Sequence, residues 1–264
     1  MKLKKYCDEC SCPTGSVDPT KLTIVVPKGK QYLIEITDRC LYEFTCGKGH
    51  LNRFFISNPK YELLFEMGLC AYYKGFYREA VLDFAASLER FYENCINIFV
   101  IMRFQNTEKH DNVLQKLWKP ISKQSERQYG AFLSIFLIST GHMAPLFEEK
   151  QVEFRNKVTH KGYFPTKEET LKYANAVAKY IIEIYSELTN NFNVNELNHL
   201  RYLETLQINT QLTKEIREKG LEHEKIQGNT IFSFFRSHYS LTDETWFNKM
   251  LRDFEKNYIS HYEI

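Results

Sequence analysis

Apolar residues change their period once along the chain, near Asn58-Pro59. Before that point they alternate. Leu22, Ile24 and Val26 share one side, Pro27-Lys28-Gly29-Lys30 makes a turn, and Tyr32, Ile34 and Ile36 resume the pattern. Tyr42 and Phe44 follow after Asp38-Arg39. Period-2 alternation bounded by turn residues predicts three short strands between residues 20 and 45. Such a sheet is too small to stand alone and needs a staple.

After Asn58-Pro59 the spacing becomes helical. Tyr61, Leu64, Phe65, Gly68, Leu69 and Tyr72 predict one helix that ends near Lys74-Gly75. Ala80, Phe84, Leu88, Phe91, Cys95 and Ile98 form the stripe of a longer one, from about Phe76 to Arg103. Pro120 reads as the start of a third, which runs to a stop at Gly141, and Pro145 bounds the segment from Leu146 to Lys161. Thr166-x-x-Glu169 has the spacing of a capping box and opens a helix through Leu171, Ala174, Val177, Tyr180, Ile181 and Leu188. A further amphipathic stretch, Val194 to Lys219, carries Leu197, Leu200, Leu203, Ile208, Leu212 and Ile216. Thr242 is placed to cap a last helix from Asp243. The expected architecture is mainly α: a β module over 1–57, an up-and-down helical bundle over 58–190 and a helical extension over 191–264.

Composition supports a folded chain, at 43% apolar and 15% aromatic residues. No run approaches the roughly 18 apolar residues of a membrane span, so no membrane partner is expected. The basic start Met-Lys-Leu-Lys-Lys leads into a Cys-rich polar segment, not an apolar one, which argues against a secretory signal and for a cytoplasmic protein. A net charge of +2 does not announce a nucleic-acid binder, so any RNA must be held by a local patch.

Five of the seven cysteines crowd into the β segment. In a cytosolic chain this favours metal over disulfides. A Cys-x-x-Cys turn supplies two thiolates from one knuckle, and a second knuckle across a hairpin completes a tetrahedron. Cys7 and Cys10 form the first knuckle, and Cys46-Gly47-Lys48-Gly49-His50 forms the second. Cys12 and Cys40 compete as donors, Cys40 as an alternative to His50. Cys70 and Cys95 fall on helical stripes and read as buried small hydrophobes. Residues 5–52 resemble the zinc-ribbon family, with His50 where a fourth Cys is usual. The resemblance implies one structural zinc.

The second constellation is Arg155-Asn156-Lys157-Val158-Thr159-His160-Lys161-Gly162. An Arg fork holds phosphate oxygens, an imidazole shuttles protons near neutral pH, and an amide orients either group. These are the needs of phosphodiester cleavage. On a helix Asn156 and His160 share a face, whereas Arg155 and His160 diverge by about 140°. The pair can meet across a seam between two copies, or if the helix ends before His160. Lys157 and Lys161 flank the site, placed to track RNA phosphates.

Arg155 through Gly162 resembles the Arg, four residues, His signature of HEPN domains, in the form with a polar residue directly after Arg. Tyr77-Arg78-Glu79-Ala80-Val81 and Ser87-Leu88-Glu89 are similar to the early helices of that family, and the likeness covers about residues 60–188. It implies a dimeric helical bundle and a metal-independent endoribonuclease that leaves 2′,3′-cyclic phosphate ends, in antiviral defence or toxin–antitoxin biology, with room for a regulatory protein partner. Carried over by position, Arg155 and His160 are catalytic, Asn156 supports them and Glu89 braces the motif. A non-catalytic dimeric scaffold that binds RNA or protein is the competing expectation.

Overall fold

The computed structural model describes residues 2–11, 29–104, 107–191, 205, 208–229, 246–257 and 262–263. Strands β1 (Lys2–Tyr6), β2 (Gln31–Glu35), β3 (Leu41–Thr45) and β4 (Leu51–Ile56) alternate with a one-turn helix α1 (Asp8–Ser11). Then come α2 (Lys60–Tyr73), α3 (Tyr77–Phe104), α4 (Thr107–Ile121), α5 (Ser125–Thr140), α6 (Glu149–His160) and α7 (Lys167–Asn191). Helix α8 spans 208–218, and β5 (Gln227–Asn229), α9 (Trp246–Asn257) and β6 (Tyr262–Glu263) follow.

The β segment is two sheets, not one. β2 pairs antiparallel with β1 from Lys2 opposite Glu35 to Tyr6 opposite Gln31, and β6 takes the other edge of β1. β3 and β4 form an antiparallel hairpin from Leu41 opposite Phe55 to Thr45 opposite Leu51, and β5 adds parallel to β4. The alternation at 31–35 and 42–44 is strand, but β2 finds its partner in β1 and not in β3. The residues 22–26 expected as a strand lie outside the described residues. An aromatic contact joins the two sheets, Tyr32 of one lying 5.1 Å from Phe44 of the other, and within the second sheet Tyr42 stacks on its cross-strand partner Phe54 at 5.3 Å.

The helical part matches its periodicity. The predicted stripe of α3, from Ala80 to Ile98, is buried throughout. The capping box at Thr166 is reciprocal, with the Thr166 N–H donating to Glu169 at 2.8 Å and the Glu169 N–H to the Thr166 hydroxyl at 3.2 Å. Gly141 ends α5 at φ 81°. Pro120 does not begin a helix. It sits in the last turn of α4, whose Val113, Leu114, Leu117, Trp118 and Ile121 pack on the core, and α5 starts only at Ser125.

One hydrophobic core runs through these parts. Leu3, Tyr42, Phe54 and Ile56 of the sheets belong to the same cluster as Tyr61, Phe65, Phe84 and Phe91 of the bundle and Phe247, Met250 and Phe254 of α9. The C-terminal segment returns to the sheets: Glu215 of α8 accepts the Cys40 and Leu41 N–H groups at 3.1 and 2.9 Å, and Glu224 pairs with Arg53 at 2.7 Å. Strand pairing and packing therefore cross the boundaries drawn at 57 and 190. Of the stripe expected on the tail helix, 197–203 lies outside the described residues. Leu212 is buried, and α8 docks on the β3 end of the sheets.

Helices α2 and α3 approach closely at Gly68. A Cβ added there would stand 2.6 Å from the Phe84 ring, and Phe84 is fully buried with no room to swing away. Gly68→Ala gains about 1 kcal/mol of helix propensity but must spread this helix pair, at about 1–3 kcal/mol. The expected result is a melting temperature several degrees lower in calorimetry; an equal or higher one would show that the helices part freely.

Candidate metal centre and the Arg155 helix

The first knuckle is built by α1. The Ser11 N–H donates to the Cys7 carbonyl at 2.9 Å, a single helical turn that lifts Cys10 over Cys7. The second closes the β3–β4 hairpin. The Cys46 N–H donates to the His50 carbonyl at 3.0 Å and the Gly49 N–H to the Cys46 carbonyl at 2.9 Å, with Gly49 at φ 86°. The Lys48 N–H points at the Cys46 Sγ, 3.4 Å away.

Together they gather four donors. One ligand atom from each of Cys7, Cys10, Cys46 and His50 lies within 4.8 Å of all the others. The Cys10 and Cys46 sulfurs are 3.9 Å apart, and His50 Nδ1 is 3.7 Å from Cys7 Sγ and 3.3 Å from Cys10 Sγ. A tetrahedron with bonds of about 2.3 Å to sulfur and 2.0–2.1 Å to nitrogen has edges of roughly 3.8 and 3.5 Å. The quartet fits a metal ion. His50 presents Nδ1 to the thiols, and its Nε2 lies 3.5 Å from a Glu9 carboxylate oxygen, an outer contact that orients a ligating imidazole.

Asn52 locks the two knuckles together. Its Oδ1 accepts the Asp8 N–H at 2.9 Å, and its Nδ2 donates to the His50 carbonyl at 3.0 Å and to Cys7 Sγ at 3.5 Å. Desolvation raises the Cys7 thiol, but donors at the Cys10 backbone, Asn52 and His50 outweigh it and hold the group down at about 6. Cys10 goes the other way, to about 11, through desolvation and the neighbouring Cys7 and Cys46. Cys40 is no competitor: it sits just before β3, at the far end of that strand from Cys46, and its thiol meets Gln211 Oε1 at 3.5 Å. Cys12 lies outside the described residues. Asn52 and Glu9 escaped the sequence reading, although a buried Asn on the inward register of β4 was a usable signal.

The other constellation lies on α6, which runs unbroken through His160. Arg155 is half-buried and lines a cavity of about 100 Å³ between α3, α5, α6 and α7, shared with Glu89, Tyr92, Tyr129 and Tyr173. Burial raises the Glu89 carboxyl, and Arg155 opposes that rise. Burial also raises Tyr173. Asn156 is half-buried, whereas Lys157, His160 and Lys161 are exposed. The helix stops at Gly162, φ 66°, where the Tyr163 N–H reaches back to the Lys157 carbonyl at 3.3 Å. Within one chain Arg155 and Glu89 line the same cavity, and His160 is not among the residues that line it. A helix that ends before His160 is excluded.

No family model, curated protein or solved structure matches this chain. The quartet is a closed set of four ligands, suited to holding structure together, with no position left for a reacting water. The α6 surface offers a guanidinium beside a carboxyl, and one turn on, an imidazole between two lysines.

Proposed function

We propose that the chain is a zinc-stapled helical endoribonuclease acting as a homodimer, in which Arg155 of one copy and His160 of the other meet the same phosphodiester. The observation that carries it is the course of α6: one continuous helix bears Arg155 toward the Glu89 cavity and His160 into solvent, about 140° apart. A second copy packed across α6 brings the missing group to each site. Three thiolates with one imidazole is a donor set that suits zinc among the common divalent ions.

In this reading the Arg155 fork clamps the non-bridging phosphate oxygens and offsets charge on the phosphorane. His160 takes the proton of the 2′-hydroxyl as its oxygen attacks phosphorus, the bond from phosphorus to the 5′-oxygen breaks, and that oxygen takes a proton from water, leaving a 2′,3′-cyclic phosphate. Asn156 shares the His160 face and orients it. Lys157 and Lys161 hold neighbouring phosphates, so binding weakens as salt rises. The resemblance stated above carries a role in defence or toxin–antitoxin biology in the cytoplasm.

Complementation tests the reading. Arg155→Ala and His160→Ala are each inactive on RNA without added divalent ions, but a mixture of the two regains about a quarter of parental activity, because half of the dimers carry one intact composite site. An inactive mixture of proven heterodimers would exclude a shared site. If the parent dimerises and binds RNA without cleaving it, the scaffold reading replaces this one.

A further inference from the structure

Exposed aromatic rings gather at one end of the bundle. Among the described residues the aromatic side chains that stand most open to solvent are Phe164, at 81%, Phe76, at 53%, and Tyr163, at 39%. Tyr163 and Phe164 lie in the α6–α7 junction, and Phe76 lies in the α2–α3 turn. Lys167 Nζ is 5.8 Å from the Tyr72 ring centroid, so the junction and the turn are neighbours. His160, the last residue of α6, sits at the same end.

These rings are held out into solvent on an anchored backbone. The Tyr163 N–H donates to the Lys157 carbonyl at 3.3 Å, and its hydroxyl donates to Glu169 Oε1 at 2.9 Å. Pro165, on the other side of Phe164, is buried, and a following proline confines Phe164 to extended backbone. Phe164 is therefore fixed through both neighbours while its own ring meets water. In the turn, the Phe76 N–H donates to the Ala71 carbonyl at 2.9 Å. A platform ordered in advance loses little conformational freedom when a ligand lands on it.

Charge supplies a second constraint. Residues 74–79 and 157–169 carry five cations, Lys74, Arg78, Lys157, Lys161 and Lys167, against three acids, Glu79, Glu168 and Glu169. None of the five cations forms an ion pair among the described residues. Glu169 is already engaged by the Tyr163 hydroxyl and the Thr166 N–H. Free cations beside open rings are the two elements that hold an unpaired nucleic-acid strand, charges tracking phosphates and rings stacking bases. A duplex keeps its base faces inside its own stack and would leave the rings in water. A free phosphate would leave them unanswered as well.

We infer that this end of the bundle is a platform for an unpaired stretch of RNA, with one base stacked on Phe164 and a further base on Phe76. The inference rests on the RNA reading of α6 and adds the substrate class to it: single-stranded segments, not duplex.

Fluorescence anisotropy of the full chain with a short labelled RNA, either unpaired or annealed to its complement, tests it. Unpaired RNA should bind more tightly than duplex. Phe164→Ala should weaken binding of the unpaired strand about tenfold, and Phe164→Trp should keep it. Phe164→Leu, apolar but without an aromatic face, should behave like Phe164→Ala. The ring is exposed, so all three variants keep the parental melting temperature. Equal binding of the two RNAs, undiminished binding by Phe164→Ala, or full binding by Phe164→Leu overturns the proposal. So does a loss of self-association in Phe164→Ala with RNA binding intact. Repeating the titration in His160→Ala separates the two readings. If that variant binds unpaired RNA through Phe164 but the parent cuts none, the ribonuclease reading falls and the platform stands. Cleavage that needs His160 but ignores Phe164 removes the platform alone, and no binding of either RNA removes both.

Discussion

Cys46→Ser is expected to unfold the chain as one unit, not merely loosen a small appendage. Three features make the effect large. The quartet joins β1 and α1 to the β3–β4 turn, and Asn52 hydrogen-bonds to both knuckles, so losing one ligand disengages the two sheets from each other. The sheets share their core with α2, α3 and α9, so their release exposes Phe65 and Tyr61 as well. Structural zinc contributes on the order of 10 kcal/mol in small zinc modules, as much as the total stability of an ordinary domain. If a third to a half of that is lost, melting shifts down by about 10–20 °C in a chain of this length. Circular dichroism followed at the helical signal, with elemental analysis of the parent, checks this. Two separate transitions with the helical one unmoved would mean that the cores are independent, and less than half an equivalent of metal in fresh protein would remove the site's role altogether.

Arg155→Ala and His160→Ala should each lower RNA cleavage by about 10²–10⁴-fold, the usual worth of a general acid–base group or a charge-stabilising donor. Folding controls separate the two variants. His160 is exposed at the end of α6, so His160→Ala keeps the parental melting temperature. Arg155, with Arg90, restrains the Glu89 carboxyl, which burial already raises. Without Arg155 the folded-state value climbs further above the unfolded one. A raised carboxyl supports the fold below its unfolded value and withdraws that support as pH rises through the folded one. Arg155→Ala should therefore lose more melting temperature than the parent between mildly acidic and neutral pH. Equal pH profiles would show that Arg155 does not act on Glu89, and undiminished cleavage by both folded variants would end the ribonuclease reading.

Helices α2, α3 and α7 were legible because their stripes are long and their ends carry chemical signals, such as the Thr166 box of α7 and Gly75 after α2. The quartet was legible for a related reason: each knuckle is local, and spacing alone brings its two donors together. What the sequence hid was pairing. β1 is a run of lysines around one buried leucine, and the inward face of β4 starts with Asn52, so neither advertises an apolar alternation. The assignment of β2 to β1, and the choice of His50 over Cys40, depend on contacts between residues far apart in the chain, which no window of sequence contains. At α6 the 100° step per residue predicted the divergence of Arg155 and His160, but not which of them would find Glu89.

The closing strands set a timetable for synthesis. β1 receives β6 on its free edge and β4 receives β5, so elements made first wait for those made last among the described residues. While the chain is still being translated, both edges stand open, each a row of unpaired amides able to recruit a foreign strand. Metal capture is the one step available early, because Cys7, Cys10, Cys46 and His50 have all emerged before α2 begins. The ion would act as a placeholder for the nascent chain. Cells starved of metal should accumulate this protein as aggregate during translation, even where the finished molecule tolerates a chelator.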